Sequence, residues 1–492
     1  MSTNVDRFVR PATNSQSATL NAMLDAQRAD FRKAGSPSPA VRRDRIDRLI
    51  LLLTEGADEF SAALHADFGN RPHAINLVSE VAGILPDMLA TRRHLKSWMR
   101  PQRIRSGTLL GMPTVVEKKP LGVVGVIGPW NFPVSLVVQP AASAFAAGNR
   151  VMIKFSEVTP RTAALFAAKA ATYFDPTELT VVTGGPEVGA EFSALPFDHL
   201  FFTGSPEVGA LVAATAAKNL VPVTLELGGK NPAVIAPDAD VPAMARRVMA
   251  ARLGNGGQIC LCPDYAFVPR DRMSDFVTAA LEHGRAAAAD GGAGLVSIVD
   301  DKNFERVRGL IEDARERGAT VYDSGAPMDA TRRRIPPTLV LDVTDEMRIA
   351  DEEVFGPVLA VLPYDAITEV CDYVAARPSP LAVYWYGPAG RGLDEFRAKT
   401  LSGGMAVNDF AVHCAVMAAP FGGVGRSGWG AYHGKAGFDT FTHHRTVTTS
   451  RLPMSFAGLI TPPYPAALSP VVSGYVRFER FRARRRRRRS AR

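Results

Sequence analysis

From Leu121 onward, short unbroken apolar runs alternate with longer stretches whose apolar positions recur at helical spacing. LGVVGVIG (121–128), VMIKF (151–155), LTVVTG (179–184), HLFFTG (199–204) and PVTLEL (222–227) read as buried strands. Between them, residues 134–147, 159–174 and 206–217 are predicted helices. Strand and helix alternating at this spacing predict a doubly wound parallel sheet, an α/β fold that binds ligands at the carboxyl ends of its strands. The alternation restarts beyond Gly228 with AVIA, a helix over 240–253, YAFVP (265–269) and a helix capped by Asp271. A helix near 302–317, strands near 337–342 and 358–363, and LAVYWYG (381–387) follow, so a second α/β lobe is the simplest reading. Upstream, residues 18–33 and 40–64 are predicted helices; Ile46, Leu49, Ile50 and Leu53 share one packing face of the second. Residues 103–120 read as a hairpin outside the main core.

Composition adds limits. At 492 residues the chain can hold about two to four domains, and 46% hydrophobic with 22% charged residues favours neither a disordered nor a fibrous class. The formal charge of +8 suggests a nucleic-acid or anionic-membrane partner until it is located. From Val471 to Arg492, ten arginines face only Glu479, a tail charge of +9 that leaves the rest at −1. No such partner is expected for the body. Arg484–Arg489 is expected to be a disordered, solvated terminus, with contact to an anionic surface as the alternative. Residues 452–475 are apolar, but Pro453, Pro462, Pro463, Pro465 and Pro470 would break a spanning helix. The opening MSTNVDRFVRPATNSQS has no apolar core, so no signal peptide is expected. Cysteines 260, 262, 371 and 414 are too few for a disulfide framework and lack zinc-knuckle spacing; the expectation is a reducing cytoplasm and no metal.

Candidate chemistry gathers in residues 225–262. Glu226 opens that stretch, and Cys260 closes it behind Gly254, Asn255, Gly256, Gly257 and Gln258, a loop with freedom and little bulk around the sulfur. Taken alone, such a thiol is more often a small buried apolar residue than a nucleophile. FFTGSPEVG (201–209) forms a strand, turn and helix start. There Gly204 would let the backbone approach a pyrophosphate and Ser205 would donate to it, yet the G-x-x-x-x-G spacing equally suits an ordinary turn. Lys154 and Glu157 suit ribose and phosphate, or are solvated charges. Asn131, within PWNFP, is a turn residue or an amide donor for an oxyanion.

GVIGPWNFP, KFSE, FFTGSPEVG, LELGGKNP, GQICLCPDY, EEVFGPVL, and SGGMAVND with PFGGVGRSGWGAYHGKAGF together resemble the aldehyde dehydrogenase superfamily, in its order, from about Ala18 to Arg451. PDY, VND and YHGK resemble its class-3 branch, and within that the bacterial coniferyl-aldehyde dehydrogenase-like members. The resemblance implies two doubly wound α/β lobes and a small oligomerisation element. A Rossmann-like coenzyme domain would span 1–101 and 121–228, a catalytic domain 229–439, and the oligomerisation element 102–120 and 440–451, leaving 452–492 as a proline-containing, arginine-rich tail. It also implies Cys260 as nucleophile, Glu226 as general base and Asn131 as oxyanion donor. Trp130, Lys154, Glu157, Gly204, Ser205, Glu353 and Phe355 would contact the cofactor, with Lys154 and Glu157 at the adenosine ribose and Glu353 at the nicotinamide ribose. The implied reaction oxidises an aldehyde, aromatic such as coniferyl aldehyde or medium- to long-chain aliphatic, to an acid in a homodimer. NAD is the expected cofactor because Glu157 would repel a 2′-phosphate, with NADP still open. The rivals are a CoA-acylating or reductive enzyme on the same fold, and a non-catalytic protein acting through its polyarginine tail.

Four positions stand apart from the family pattern. Phe155 replaces a usual Pro and Gly256 a usual Ala, while Met417, in the 412–417 segment expected at the substrate entrance, replaces a frequent His. Cys262 is the fourth: if residues 260–262 are extended, its thiol shares a side with Cys260 and would trap it as a disulfide, the alternative being a small core residue.

Overall fold

Unbroken apolar strands are stable only where both faces are covered, and the first sheet covers them. In this computed structural model, which describes residues 14–490 apart from 110 and 454, strands β3 (Val123–Ile127), β4 (Arg150–Lys154), β5 (Leu179–Val182), β6 (His199–Gly204) and β7 (Val223–Leu227) pair in parallel in the order β7-β6-β3-β4-β5. The chain runs outward from β3 to β5, then returns to the other side of β3 for β6 and β7. The strand order therefore reverses beside β3, and a crevice is expected at the carboxyl ends of β3 and β6. Residues 1–13, most of the segment expected to lack a signal peptide, lie outside the described residues.

The second sheet contains β8 (Asn231–Ile235), β9 (Pro263–Pro269), β10 (Thr320–Asp323), β11 (Thr338–Leu341), β12 (Val358–Tyr364), β13 (Ala382–Tyr386) and β14 (Gly404–Val407). Its order is β10-β11-β12-β9-β8-β13-β14, parallel except for β10. One strand departs from the sequence-based domain boundary. β15 (Gly428–Trp429), inside the 229–439 range, joins the edge of the first sheet antiparallel to β7 and sets Gly428 opposite Glu226. Gly428 has φ +128, and a Cβ there would lie 2.0 Å from the Leu225 carbonyl oxygen, so only glycine permits this pairing.

Residues up to Met99 and from Lys118 to His443 form one compact unit; Arg100–Glu117 and the chain from His444 form another. β1 (Gln102–Ile104) and β2 (Thr114–Pro120) pair antiparallel, and β16 (Thr442–Thr448) completes their three-stranded sheet. The expected hairpin contains a helical turn, Arg105–Leu109, between its strands.

Three helix expectations need correction. The helix predicted over 40–64 is two, Pro39–Glu55 and Ala57–Phe68, broken at Gly56 (φ −91, ψ 0), where a Cβ would meet the Phe60 ring at 2.8 Å. Asp271 lies inside a 3-10 turn, Arg270–Arg272, and the next helix starts at Met273. The tail, expected to be disordered, is a helix from Leu468 to Ser490, for which arginine's high helix propensity is the local reason. Residues 73–98 are also apolar and helical enough in length to suggest a membrane span, but they carry buried Asn76, Glu80 and Asp87 and pack as a core helix. Glu80 accepts hydrogen bonds from Arg71 and from the backbone N–H groups of Val134 and Ser135, which fixes the start of the helix following β3.

Candidate active site

The loop before Cys260 is set by backbone conformations that side chains resist. Asn255, Gly256 and Gly257 take φ of 48, 65 and 77 in succession. A Cβ on Gly257 would lie 2.1 Å from the Gly356 carbonyl oxygen, so the nucleophile loop rests directly on the EEVFG loop. A Cβ on Gly256 would lie 2.8 Å from the Val296 carbonyl oxygen, so the left-handed backbone and the close carbonyl together call for glycine.

Side chains then grip this loop by its backbone. Gln258 donates to the carbonyls of Asn255 (2.9 Å) and Ser297 (3.1 Å) and accepts from Val299 N–H (3.0 Å). Asn231, fully buried on β8, donates to the carbonyls of Cys260 (2.7 Å) and Cys262 (3.1 Å), and its oxygen accepts from Ala382 N–H (2.9 Å). The Tyr384 hydroxyl donates to the Leu261 carbonyl at 2.7 Å. Every one of these bonds holds main chain, and the half-buried Cys260 is in no disulfide.

The grip also decides the second thiol. Residues 260–262 form a turn rather than an extended segment, closed by Cys262 N–H donating to the Ile259 carbonyl at 2.9 Å. The Cys262 thiol donates instead to the Ala251 carbonyl (3.4 Å), is 2% exposed, and is pushed up to about 12 by burial. The trapping role considered for Cys262 is thereby replaced by that of a buried, unreactive core residue.

Asn131 follows β3 at the expected crevice. Its Nδ2 donates to the Gln258 carbonyl (3.1 Å) while its own carbonyl accepts from Asn255 Nδ2 (3.2 Å), so it is tied to the nucleophile loop with one amide hydrogen left over. Glu226 is 3% exposed, and neither carboxylate oxygen has a hydrogen-bond partner among the described residues. A Cβ on Gly422 would come within 3.1 Å of its Oε1, so that glycine makes room for the carboxylate. Burial pushes Glu226 well above the usual carboxylate range. The Cys260 thiol is also raised, first by burial and then by Glu353, Cys414 and Glu226. Burial thus works against the charged form of both groups. Cys414, of the 412–417 segment, is pushed up to about 12 by burial and by Glu226, which brings this segment to the same site. Met417 accepts a long hydrogen bond from Gln139 through its sulfur (3.8 Å).

The cofactor candidates occupy two places. Glu353 lies hard against Gly228, where a Cβ would meet its Oε2 at 2.2 Å, and its carboxyl is pushed up to about 8 by burial and Asp264. Phe355, at φ +47, meets Trp130 edge-on with ring centroids 5.3 Å apart. Asp264 ties this loop to the nucleophile loop by accepting from Lys230 (2.5 Å), Arg252 (3.1 Å) and Val354 N–H (3.1 Å). Around the end of β4, Lys154 is buried, donates to the Phe155 carbonyl (2.7 Å) and stands 3.5 Å from Glu157. Burial lowers its pKa, opposed by Glu157 and Glu187. Phe155 packs on Phe166 with centroids 4.9 Å apart, a core role that accounts for its departure from the pattern. Ser205 caps the helix Pro206–Ala217, accepting from Val208 N–H at 3.4 Å. A helix N-terminus and a buried ammonium as donors, with the carboxylates of Glu157 and Glu353 as acceptors, form a set that would fit a dinucleotide.

Sequence reasoning did not single out Asn231, Gln258, Asp264, Tyr384 or Glu187. LGGKNP and the PDY triplet held the first and third in view. Tyr384 and Glu187 carry no local signal, because only the fold brings their strand and helix to these places.

The model of the Aldehyde dehydrogenase family matches residues 6–447. A probable coniferyl aldehyde dehydrogenase of Caulobacter vibrioides is 41% identical over 482 residues, covering 95% of this chain and 99% of its own. The coniferyl aldehyde dehydrogenase of Pseudomonas sp. strain HR199 is 42% identical over 434 residues, covering 87% and 90%. Among solved structures, the substrate-bound AldH of Staphylococcus aureus has a TM-score of 0.86 at 31% identity, covering 92% of this chain and 99% of that one.

Proposed function

The chain belongs to the aldehyde dehydrogenase family and is an NAD(P)-dependent oxidoreductase acting on aldehydes; on that premise we propose that Cys260 and Glu226 convert an aromatic aldehyde of the coniferyl type to its carboxylic acid. The observation that carries this reading is a buried carboxylate without a hydrogen-bond partner among the described residues, acting electrostatically on a thiol whose backbone is clamped at the carbonyls of residues 260–262.

As substrate and cofactor bind, the Cys260 thiol releases its proton to solvent, and Glu226, whose carboxylate burial makes more basic, serves once ionised as the base of the later hydrolysis. The Cys260 sulfur then attacks the aldehyde carbon, and the carbonyl oxygen becomes an oxyanion held by the remaining Asn131 amide hydrogen and the Cys260 backbone N–H. The bound dinucleotide supplies the hydride acceptor. The acyl group left on sulfur as a thioester is attacked by water, whose proton passes to the ionised Glu226 and from there to the departing Cys260 sulfur, which restores the thiol and releases the acid. Glu353, Phe355 and Trp130 would hold the nicotinamide end; Lys154, Glu157, Gly204 and Ser205 would hold the adenosine ribose and pyrophosphate. Two carboxylates around Lys154, Glu157 and Glu187, favour free ribose hydroxyls and hence NAD over NADP. The four free cysteines suit a reducing cytoplasm, and the three-stranded sheet offers the element for a homodimer.

The test is rapid-mixing absorbance at the NADH band with coniferyl aldehyde. Glu226→Gln is expected to give a first-turnover burst followed by steady turnover slower by roughly 10²–10⁴. Cys260→Ala is expected to give no burst. A Glu226→Gln enzyme at the wild-type steady rate would overturn hydrolysis by this residue, and acyl-CoA as the main product when CoA is added would assign the acylating reaction instead.

A further inference from the structure

The helix Leu468–Ser490 lies beyond the family-matched residues 6–447, and no step of aldehyde oxidation uses it. We propose that it is an interfacial helix that seats the enzyme on an anionic lipid bilayer.

Leu468, Val471, Val472, Tyr475 and Phe478 follow one another at i, i+3, i+4, i+7 and i+10, a single helical stripe, with Val476 and Phe481 on its flanks. Ser469, Ser473, Arg477 and Arg480 take the opposite side. In a soluble protein such a stripe is normally covered, yet Tyr475 is 65%, Phe478 55% and Phe481 63% exposed. Phe456, Ile460 and Tyr464 just before it are also exposed. The stripe ends at Phe481, where Arg482 and the Arg484–Arg489 block begin.

Charge selects the occupant. The helix carries nine arginines against Glu479, which is itself paired with Arg482 (3.0 Å) and Arg486 (3.7 Å). That density of like charge opposes packing a second copy of the helix alongside and complements acidic headgroups. Nucleic acid would account for the arginines but not for Leu468, Val471 and Val472, aliphatic groups that neither stack on bases nor pair with them. The apolar stripe, about 20 Å long at helical rise, is shorter than a bilayer's hydrocarbon core of about 30 Å. It therefore lies in the interface, apolar side inward, with arginine stems reaching the headgroups.

The test is cosedimentation of the full chain with phosphatidylcholine vesicles, with and without about one third phosphatidylglycerol. Retention is expected only on the anionic vesicles and is expected to fall in high salt. Two variants separate the contributions: Val471→Ser with Val472→Ser and Phe478→Ser, and Arg484 to Arg489 each →Gln. Each is expected to lose about tenfold or more in vesicle affinity while oxidising aldehyde at the wild-type rate, which also reports that the body is folded. Absence of retention by the wild type overturns the proposal. So does full retention by the apolar variant, which would reveal adhesion by charge alone, and so does binding of a single-stranded RNA oligonucleotide without vesicle binding.

Discussion

Replacing Asn231 tests whether the clamp on the nucleophile turn is what makes Cys260 competent. The side chain is fully buried and makes three hydrogen bonds, two donated to the carbonyls of Cys260 and Cys262 and one accepted from Ala382 N–H. Each is worth about 1 kcal/mol net, and backbone groups stranded without water add a desolvation cost, so Asn231→Ala is expected to lose roughly 3–5 kcal/mol of stability. Asn231→Asp separates stability from positioning. Its oxygen still accepts from Ala382 N–H, but the former donor now presents lone pairs to two carbonyls and pushes the turn away. A displacement of about 1 Å at a nucleophile costs on the order of 100-fold in turnover. The assays are thermal unfolding, steady-state NADH formation, and NAD affinity by quenching of protein fluorescence. The expected pattern is lower midpoints in both variants and turnover down about 100-fold in Asn231→Asp, with NAD affinity unchanged. Wild-type turnover in both variants, or NAD affinity falling in step with turnover, would refute the clamp.

Three further outcomes are expected. Glu226 has its folded pKa raised above the ordinary 4.5, so its ionisation favours the unfolded chain: wild type and Glu226→Gln should unfold alike below about pH 4, and the variant should become the more stable as pH rises through 4.5 and beyond, read as the difference in unfolding midpoint at pH 4 and pH 7.5. Glu157→Gln combined with Glu187→Gln is expected to raise kcat/KM with NADP relative to NAD by about tenfold, one charge repulsion's worth, in paired steady-state assays; an unchanged ratio would remove these carboxylates from cofactor choice. Cys262→Ala is expected to leave the kinetics of peroxide inactivation and their reversal by thiol unchanged, because the Cys262 thiol is turned toward the Ala251 carbonyl; loss of reversibility would restore Cys262 as a partner of Cys260.

The resting state follows from the same electrostatics. A thiol raised by burial, by the carboxyls of Glu353 and Glu226 and by the thiols of Cys414 and Cys262 is disfavoured as thiolate until a substrate or cofactor alters the field. Burial that disfavours thiolate also shelters the nucleophile from oxidation, since the thiolate is the oxidisable form.

Sequence alone determined the features that depend on local rules. Continuous apolar runs identified β3 to β7 because a strand buried on both faces needs no alternation. The helical period placed Val241–Leu253, and the motif residues identified Cys260 and Glu226 as candidates for reaction. Tertiary structure decided what depended on distant backbone. The two-residue β15 is too short to leave a pattern, yet the absence of a Cβ at Gly428 lets it close over Glu226. Cys262 could be read as a partner of Cys260 while the path between them was unknown; a turn held by Asn231 from another strand directs the two thiols to different tasks. The shifted acidities of Glu226 and Cys260 belong to this second class too, because desolvation and facing charge are properties of the packed surroundings and not of the residues that carry them.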